Sequence, residues 1–166
     1  MKNTIKVFVL VALTLAAMSV SAQVKLGHIE TQKLIQAMPE WTAAQKTFEE
    51  EQKKVNTELN SLREQFQTKL AEYSEKMKTY SEAMRATTEE ELQGLQQRIQ
   101  RFQETAMAQL EKTQNYLMQP VMEKALNAIK EVGKENGFTY IFDMNAGILY
   151  AAENSQDVLP LVKKKL

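Results

Sequence analysis

No cysteine occurs in this 166-residue chain, which excludes disulfides, thiolate metal sites and cysteine nucleophiles together. Packing alone must hold the fold. Proline is nearly as scarce, at three positions, and glycine occurs five times; with so few breakers, long uninterrupted helix is open to the chain. An excess of either charge is also lacking, since 21 basic side chains stand against 21 acidic ones with no long block of one sign, so nucleic acid is not an expected partner. His28 is the single histidine. It falls in an expected strand, where a satisfied structural role is far commoner than metal ligation or base chemistry. There is no Gly-rich phosphate loop, no Ser-His-Asp set and no zinc spacing. Glu49–Glu51 and Glu89–Glu91 do not amount to a cation site, because consecutive helical positions splay around the axis. The expectation is a protein without catalytic residues, metal or cofactor, and not an enzyme.

Long apolar runs are confined to the start. Lys2 and Lys6 precede an apolar stretch from Val7 to Met18, followed by Val20-Ser21-Ala22, the three parts of a cleaved export signal. The stretch is short of the ~20 residues that a membrane-crossing helix needs. Residues 1–22 are therefore expected to be removed, leaving a periplasmic chain with no stable membrane anchor.

What is present is a helix-forming composition from Glu40 to Asn136, rich in Glu, Gln, Lys, Ala and Leu. Val55, Leu59, Leu62, Phe66, Leu70, Tyr73, Met77, Tyr80 and Met84 recur at steps of three and four, one narrow stripe on a nearly straight helix. Leu92, Leu95, Ile99, Phe102, Ala106, Leu110, Thr113, Leu117 and Val121 make a second. Pairing Met84 with Leu92, Met77 with Ile99, Phe66 with Leu110 and Val55 with Val121 gives position numbers that total 176 each time, as two antiparallel helices would. This places the fold-back near 86–89, where Thr88 with Glu91 fits a capping box. Beyond it, Tyr116 to Val132 is apolar over a broad arc, and Pro120 predicts a kink there. Pro39 suits the first position of the long helix, with Trp41 packing at its start.

The flanks read differently. Val24–Ile29, Phe138–Asp143 and Ile148–Ala151 are strand candidates, the last two joined as a hairpin by a turn at Asn145–Gly147. Gly137 would stop the long helix. Ser155 or Asp157 can cap a short final helix with Val158, Leu161, Val162 and Leu166 on one side. Three such strands make a poor core by themselves, so several chains are expected to pool them. The expected fold class is mainly α with a small β part: a long antiparallel helical hairpin (40–136) attached to a β-body (23–39 and 137–166, with short helices) completed by association.

These features together resemble the Skp/OmpH family of periplasmic chaperones for outer-membrane proteins. The likeness rests on Lys25-Leu-Gly-His-Ile-Glu-Thr-Gln-Lys-Leu-Ile35, on Met38-Pro39-Glu40, on the charged hairpin, on Phe138-Thr-Tyr-Ile-Phe-Asp143 and Gly147-Ile-Leu-Tyr150, and on the closing Asp157-Val158 helix. It implies a homotrimer whose hairpins surround a cavity that holds unfolded outer-membrane proteins without ATP. Client contact would then fall to Leu62, Phe66, Tyr73, Met77, Tyr80, Met84, Leu92, Leu95, Ile99 and Phe102. The oligomer body would use Val24, Leu26, Ile29, Phe138, Tyr140, Ile141, Phe142, Ile148, Leu149 and Tyr150. Family members are usually basic, and this chain departs from that: residues 40–136 hold 14 basic and 17 acidic side chains. A lipopolysaccharide site is correspondingly less well supported. The competing reading is a non-catalytic coiled-coil adaptor or structural protein of the cell envelope that docks one folded partner.

Overall fold

The computed structural model describes residues 24–166, so the expected export signal at 1–22 lies outside the described residues. The chain comprises strand β1 (Leu26–Ile29), helices α1 (Thr31–Gln36), α2 (Pro39–Lys76) and α3 (Glu82–Glu135), strands β2 (Tyr140–Asp143) and β3 (Gln156–Asp157), and helix α4 (Leu159–Lys163). It divides into two compact units. Among the described residues, one contains 24–30 together with Ile129–Lys165; the other runs from Thr31 to Ala128 and includes Leu166.

The larger unit contains α1 and the antiparallel hairpin of α2 with α3 as far as Ala128. Helix α2 begins as expected, with Pro39 in its first turn after an extended Met38, where the missing amide costs no intrahelical bond. At about 1.5 Å per residue its 38 residues span about 57 Å. Leu62, Leu92 and Ala106 are buried in this unit, and the stripe residues between them are mostly half-buried. Two facing helices can enclose only the innermost row of each stripe. Helix α3 continues through Pro120, whose ring nitrogen has no proton for the Tyr116 carbonyl one turn back.

The fold-back corrects the expected one. Helix α2 ends at Lys76 and α3 starts at Glu82, so the chain reverses over residues 77–81 and not near 86–89. The Thr79 hydroxyl donates to the Lys76 carbonyl at 2.8 Å, and Ser81 Oγ accepts the Met84 amide at 3.3 Å, so this short segment serves both helix ends. Thr88 does not cap. Its hydroxyl donates back to the Met84 carbonyl at 2.8 Å, and Thr87 does the same to Ala83 at 3.1 Å, which is how a threonine inside a helix satisfies itself. The facing pairs agree: Lys69 bridges Glu91, Tyr73 meets Glu89 and Lys124 bridges Glu40, pairs that total 160, 162 and 164. Moving a fold-back by about seven residues is about two helical turns on each arm. The same faces meet again, which is why stripe matching alone allows both registers.

The smaller unit is a three-stranded sheet in the order β2-β1-β3, and both neighbours run parallel to β1. This corrects the expected hairpin between 138–143 and 148–151. Asn145 does lie in a turn, its amide donating to Asp143 Oδ1 at 3.0 Å. Residues 148–151, however, form no strand. They belong to the return that a second parallel strand on the far side of β1 requires, and Gln156–Asp157 takes the third place in the sheet.

Helix α3 stops as expected at Gly137, which has φ +68°; the Phe138 amide reaches back to the Gly133 carbonyl at 2.9 Å, closing the helix end. Lys25 Nζ adds a bond to the Asn136 carbonyl at 2.8 Å and sits 4.3 Å from the Phe138 ring centroid. Asp157 Oδ1 accepts the Leu159 amide at 2.9 Å at the start of α4, one of the two caps expected. Ile29, Val132, Val158 and Val162 form the buried core of this unit. Gly27 is required there, because a Cβ would lie 2.8 Å from Phe138 Cε1 and 3.0 Å from Val158 Cγ1.

Two outcomes follow. Gly27→Ala forces backbone or ring movement and should cost about 1–3 kcal/mol in denaturant unfolding; a cost near zero would show that the close approach is not constraining. In the hairpin, the Lys124 ammonium beside Glu40 holds that carboxyl below its usual range. A lowered folded-state value stabilises above the unfolded value and is lost as pH falls through the folded one. The stability difference between the natural chain and Lys124→Met should therefore be present at neutral pH and vanish in acid, below about pH 4; a difference unchanged by pH would remove the ion pair from the account.

Candidate functional site

The exposed part of the hairpin is shaped by what its seam cannot cover. Near the fold-back, Tyr73 and Tyr80 lie with ring centroids 6.3 Å apart at 46°, and the Tyr73 hydroxyl donates to Glu89 across the seam. That bond raises the Tyr73 hydroxyl above its ordinary value, and the Glu91 carboxylate likewise raises Lys69. Both groups are thereby held in their protonated forms, as donors. Between them and Met84 lies an open cleft of about 480 Å³, with Ser81, Thr87 and Thr88 on its walls. A second cleft of about 730 Å³ opens midway along the hairpin, where Val55, Leu59, Phe102 and Leu110 line it beside Asn56, Gln100, Gln103 and Met107. The small Ala106 side chain leaves this space between the helices. Among the described residues no group of three or more His, Cys, Asp or Glu could hold a metal ion.

The expected contact residues separate under this geometry. Met77 and Met84 are exposed; Phe66, Tyr73, Tyr80, Leu95, Ile99 and Phe102 are half-buried. Leu62 and Leu92 are buried. They hold the seam and offer nothing to a partner of the single chain. Leu70, on the stripe but not among the expected contacts, is exposed, and residues off the stripe were missed: Met107 is 74% exposed, and Tyr116, Met122 and Leu126 are exposed too. The signal available for Met107 and Met122 was an apolar residue next to, but not on, the helical row.

The expected body residues separate in the same way. Ile29 is buried in the core of its own unit, while Phe138, Ile141 and Ile148 are half-buried. On the opposite face Leu26 pairs with Tyr140 and His28 with Phe142 in the sheet. Leu26, Tyr140 and Phe142 are all exposed, and the Tyr140 and Phe142 rings stack at 6.0 Å. Val24, Leu149 and Tyr150 are also exposed, the last two at 99% and 81%. His28 Nδ1 and Ser155 Oγ share a hydrogen bond of 2.8 Å, the satisfied role expected for it. No helix among the described residues is long and apolar enough to cross a membrane.

Comparison with known proteins supplies the frame for these surfaces. Among curated proteins none matches the chain. Among solved structures, the crystal structure of an OmpH-like proposed outer membrane chaperone from Caulobacter crescentus superposes with a TM-score of 0.75, at 16% identity, over 84% of this chain and 82% of that one. At that identity the likeness establishes a shared fold. The family model for outer membrane protein (OmpH-like) matches residues 25–166, and the protein is accordingly a member of the OmpH-like family.

Proposed function

We propose that this protein is a periplasmic, ATP-independent holdase that binds unfolded outer-membrane proteins as a homotrimer and keeps them from aggregating. The observation that carries the proposal is the row of exposed and half-exposed Met, Tyr, Phe and Leu side chains along a hairpin whose two clefts are open. Membership of the OmpH-like family supports it.

An unfolded barrel chain carries alternating apolar residues and unpaired strand edges, both of which promote aggregation in water. Scattered thioether and phenol contacts suit such a client because methionine adapts its shape and tyrosine tolerates water at one end. Each contact is weak. Several arms around one client convert later contacts into intramolecular ones, so retention arises from number and no nucleotide is needed for release. With 14 basic and 17 acidic side chains between 40 and 136, capture here relies on apolar contact more than on charge.

Association is supported by the smaller unit. A three-stranded sheet with Leu26, Tyr140 and Phe142 uncovered on one face is a surface that isolated proteins avoid. In a trimer, the unpaired residues 148–151 and this face would be buried by neighbouring chains.

Native mass spectrometry with a urea-unfolded outer-membrane barrel protein tests both parts. A trimer that takes up one barrel chain and suppresses its aggregation without nucleotide is expected. A trimer that ignores the barrel would favour the adaptor reading with a folded partner. Replacing both Tyr140→Asp and Phe142→Asp should shift the mass to the single chain while the helical circular dichroism of the hairpin persists; trimers that survive both changes would move the interface elsewhere. Deleting residues 66–95, which shortens both arms in the observed register, should leave assembly intact and weaken holding several-fold, since the remaining arm has fewer contacts to sum.

A further inference from the structure

The sequence contains nine methionines and no cysteine. Toward two-electron oxidants its thioethers are therefore the reactive sulfur groups, with no thiol in the chain to intercept the oxidant. Exposure ranks them: Met107 is 74% and Met84 56% exposed, ahead of Met77 at 41% and Met122 at 39%, whereas Met38 is 1% exposed. Met107 and Met84 also occupy matching positions, each on the wall of one hairpin cleft, where Met77 and Met122 line neither. Met84 lines its cleft together with Tyr73 and Tyr80, and Met107 lines the other together with Leu59 and Leu110.

We propose that Met84 and Met107 are reversible oxidation sites through which peroxide lowers the apolar grip of the hairpin. This inference rests on the holding role above. In the forward step a thioether sulfur lone pair attacks one oxygen of hydrogen peroxide; the S–O bond forms as the O–O bond breaks, and the departing hydroxide leaves as water once it takes up the proton. Sulfur is oxidised by two electrons and peroxide is reduced by two. The reverse step needs a dithiol reductase, since this chain has no thiol of its own: two thiols become a disulfide and the oxygen leaves as water. The sulfoxide oxygen is a strong acceptor that an apolar client side chain cannot satisfy, so each cleft would lose affinity on burial. Both side chains point to solvent, which leaves the buried seam through Leu62 and Leu92 untouched.

The test treats the whole purified protein with graded hydrogen peroxide, maps sulfoxides by peptide mass spectrometry and measures suppression of barrel-protein aggregation. Met107 and Met84 should oxidise well before Met38, and about fivefold more protein should then be needed for equal suppression, the loss of one modest sulfur contact per cleft. Treatment with methionine sulfoxide reductase and dithiothreitol should restore it. A chain carrying Met84→Leu and Met107→Leu, compared with its own untreated sample, should show little change on oxidation. Oxidation of Met38 as early as Met107 would overturn the site assignment, and full sulfoxide at both positions with unaltered suppression would overturn its effect. If the untreated protein fails to suppress aggregation, the holding role fails together with the proposed effect, while the order of oxidation still decides whether these are the reactive sites.

Discussion

Two helices lying side by side can hide only one narrow row of side chains from each, and most of the hairpin's properties descend from that limit. Leu62, Leu92 and Ala106 occupy the enclosed row. Their neighbours on the stripe are half-covered by geometry, whatever their chemistry. Long-range polar pairs then matter for alignment more than for strength: Lys69 with Glu91, Tyr73 with Glu89 and Lys124 with Glu40 cross the seam at substantially exposed positions, where each contributes little stability. What they do is hold one register among several that the apolar rows would accept. A thin arm of this kind is well suited to many weak contacts and poorly suited to a shaped site, since nothing behind the helices closes a pocket.

The sheet is under the opposite constraint. Its covered face is crowded enough that Gly27 has no room for a side chain between Phe138 and Val158. The other face carries Leu26, Tyr140 and Phe142 with no cover. Strands this short have too little enclosed surface to be independently stable, so the same alternation that builds a core on one side leaves an adhesive surface on the other. Sheet and hairpin therefore expose apolar groups for different reasons. In the hairpin the cause is limited width, and in the sheet it is an unfilled layer.

Much of this was legible from residue pattern. The three-four spacing of the stripes encodes helix by itself, because a 3.6-residue repeat has no other regular solution. Pro39 and Gly137 mark their helix boundaries through φ values that the chain must adopt there. Val24–Ile29 and Phe138–Asp143 contain β1 and β2, and Asp157 was among the expected caps. The contact residues were readable only as a row: Leu62 and Met84 share one spacing in the sequence, but the reversal leaves Leu62 in α2 and Met84 in the first turn of α3, where Leu62 is buried and Met84 exposed.

The sequence by itself determined that there would be two long amphipathic helices folding back on one another, a small β region assembled from both flanks, and no thiol chemistry, because periodicity and composition act locally. Tertiary structure decided the register and the strand directions. A shift of two helical turns preserves both stripes, so only the Thr79 and Ser81 caps and the cross-seam pairs select the reversal at 77–81. Pairing direction in the sheet is likewise invisible to alternation, since a strand has the same two faces whichever way it runs; only the return of residues 144–155 past β1 makes β3 parallel and leaves Leu149 and Tyr150 in the open.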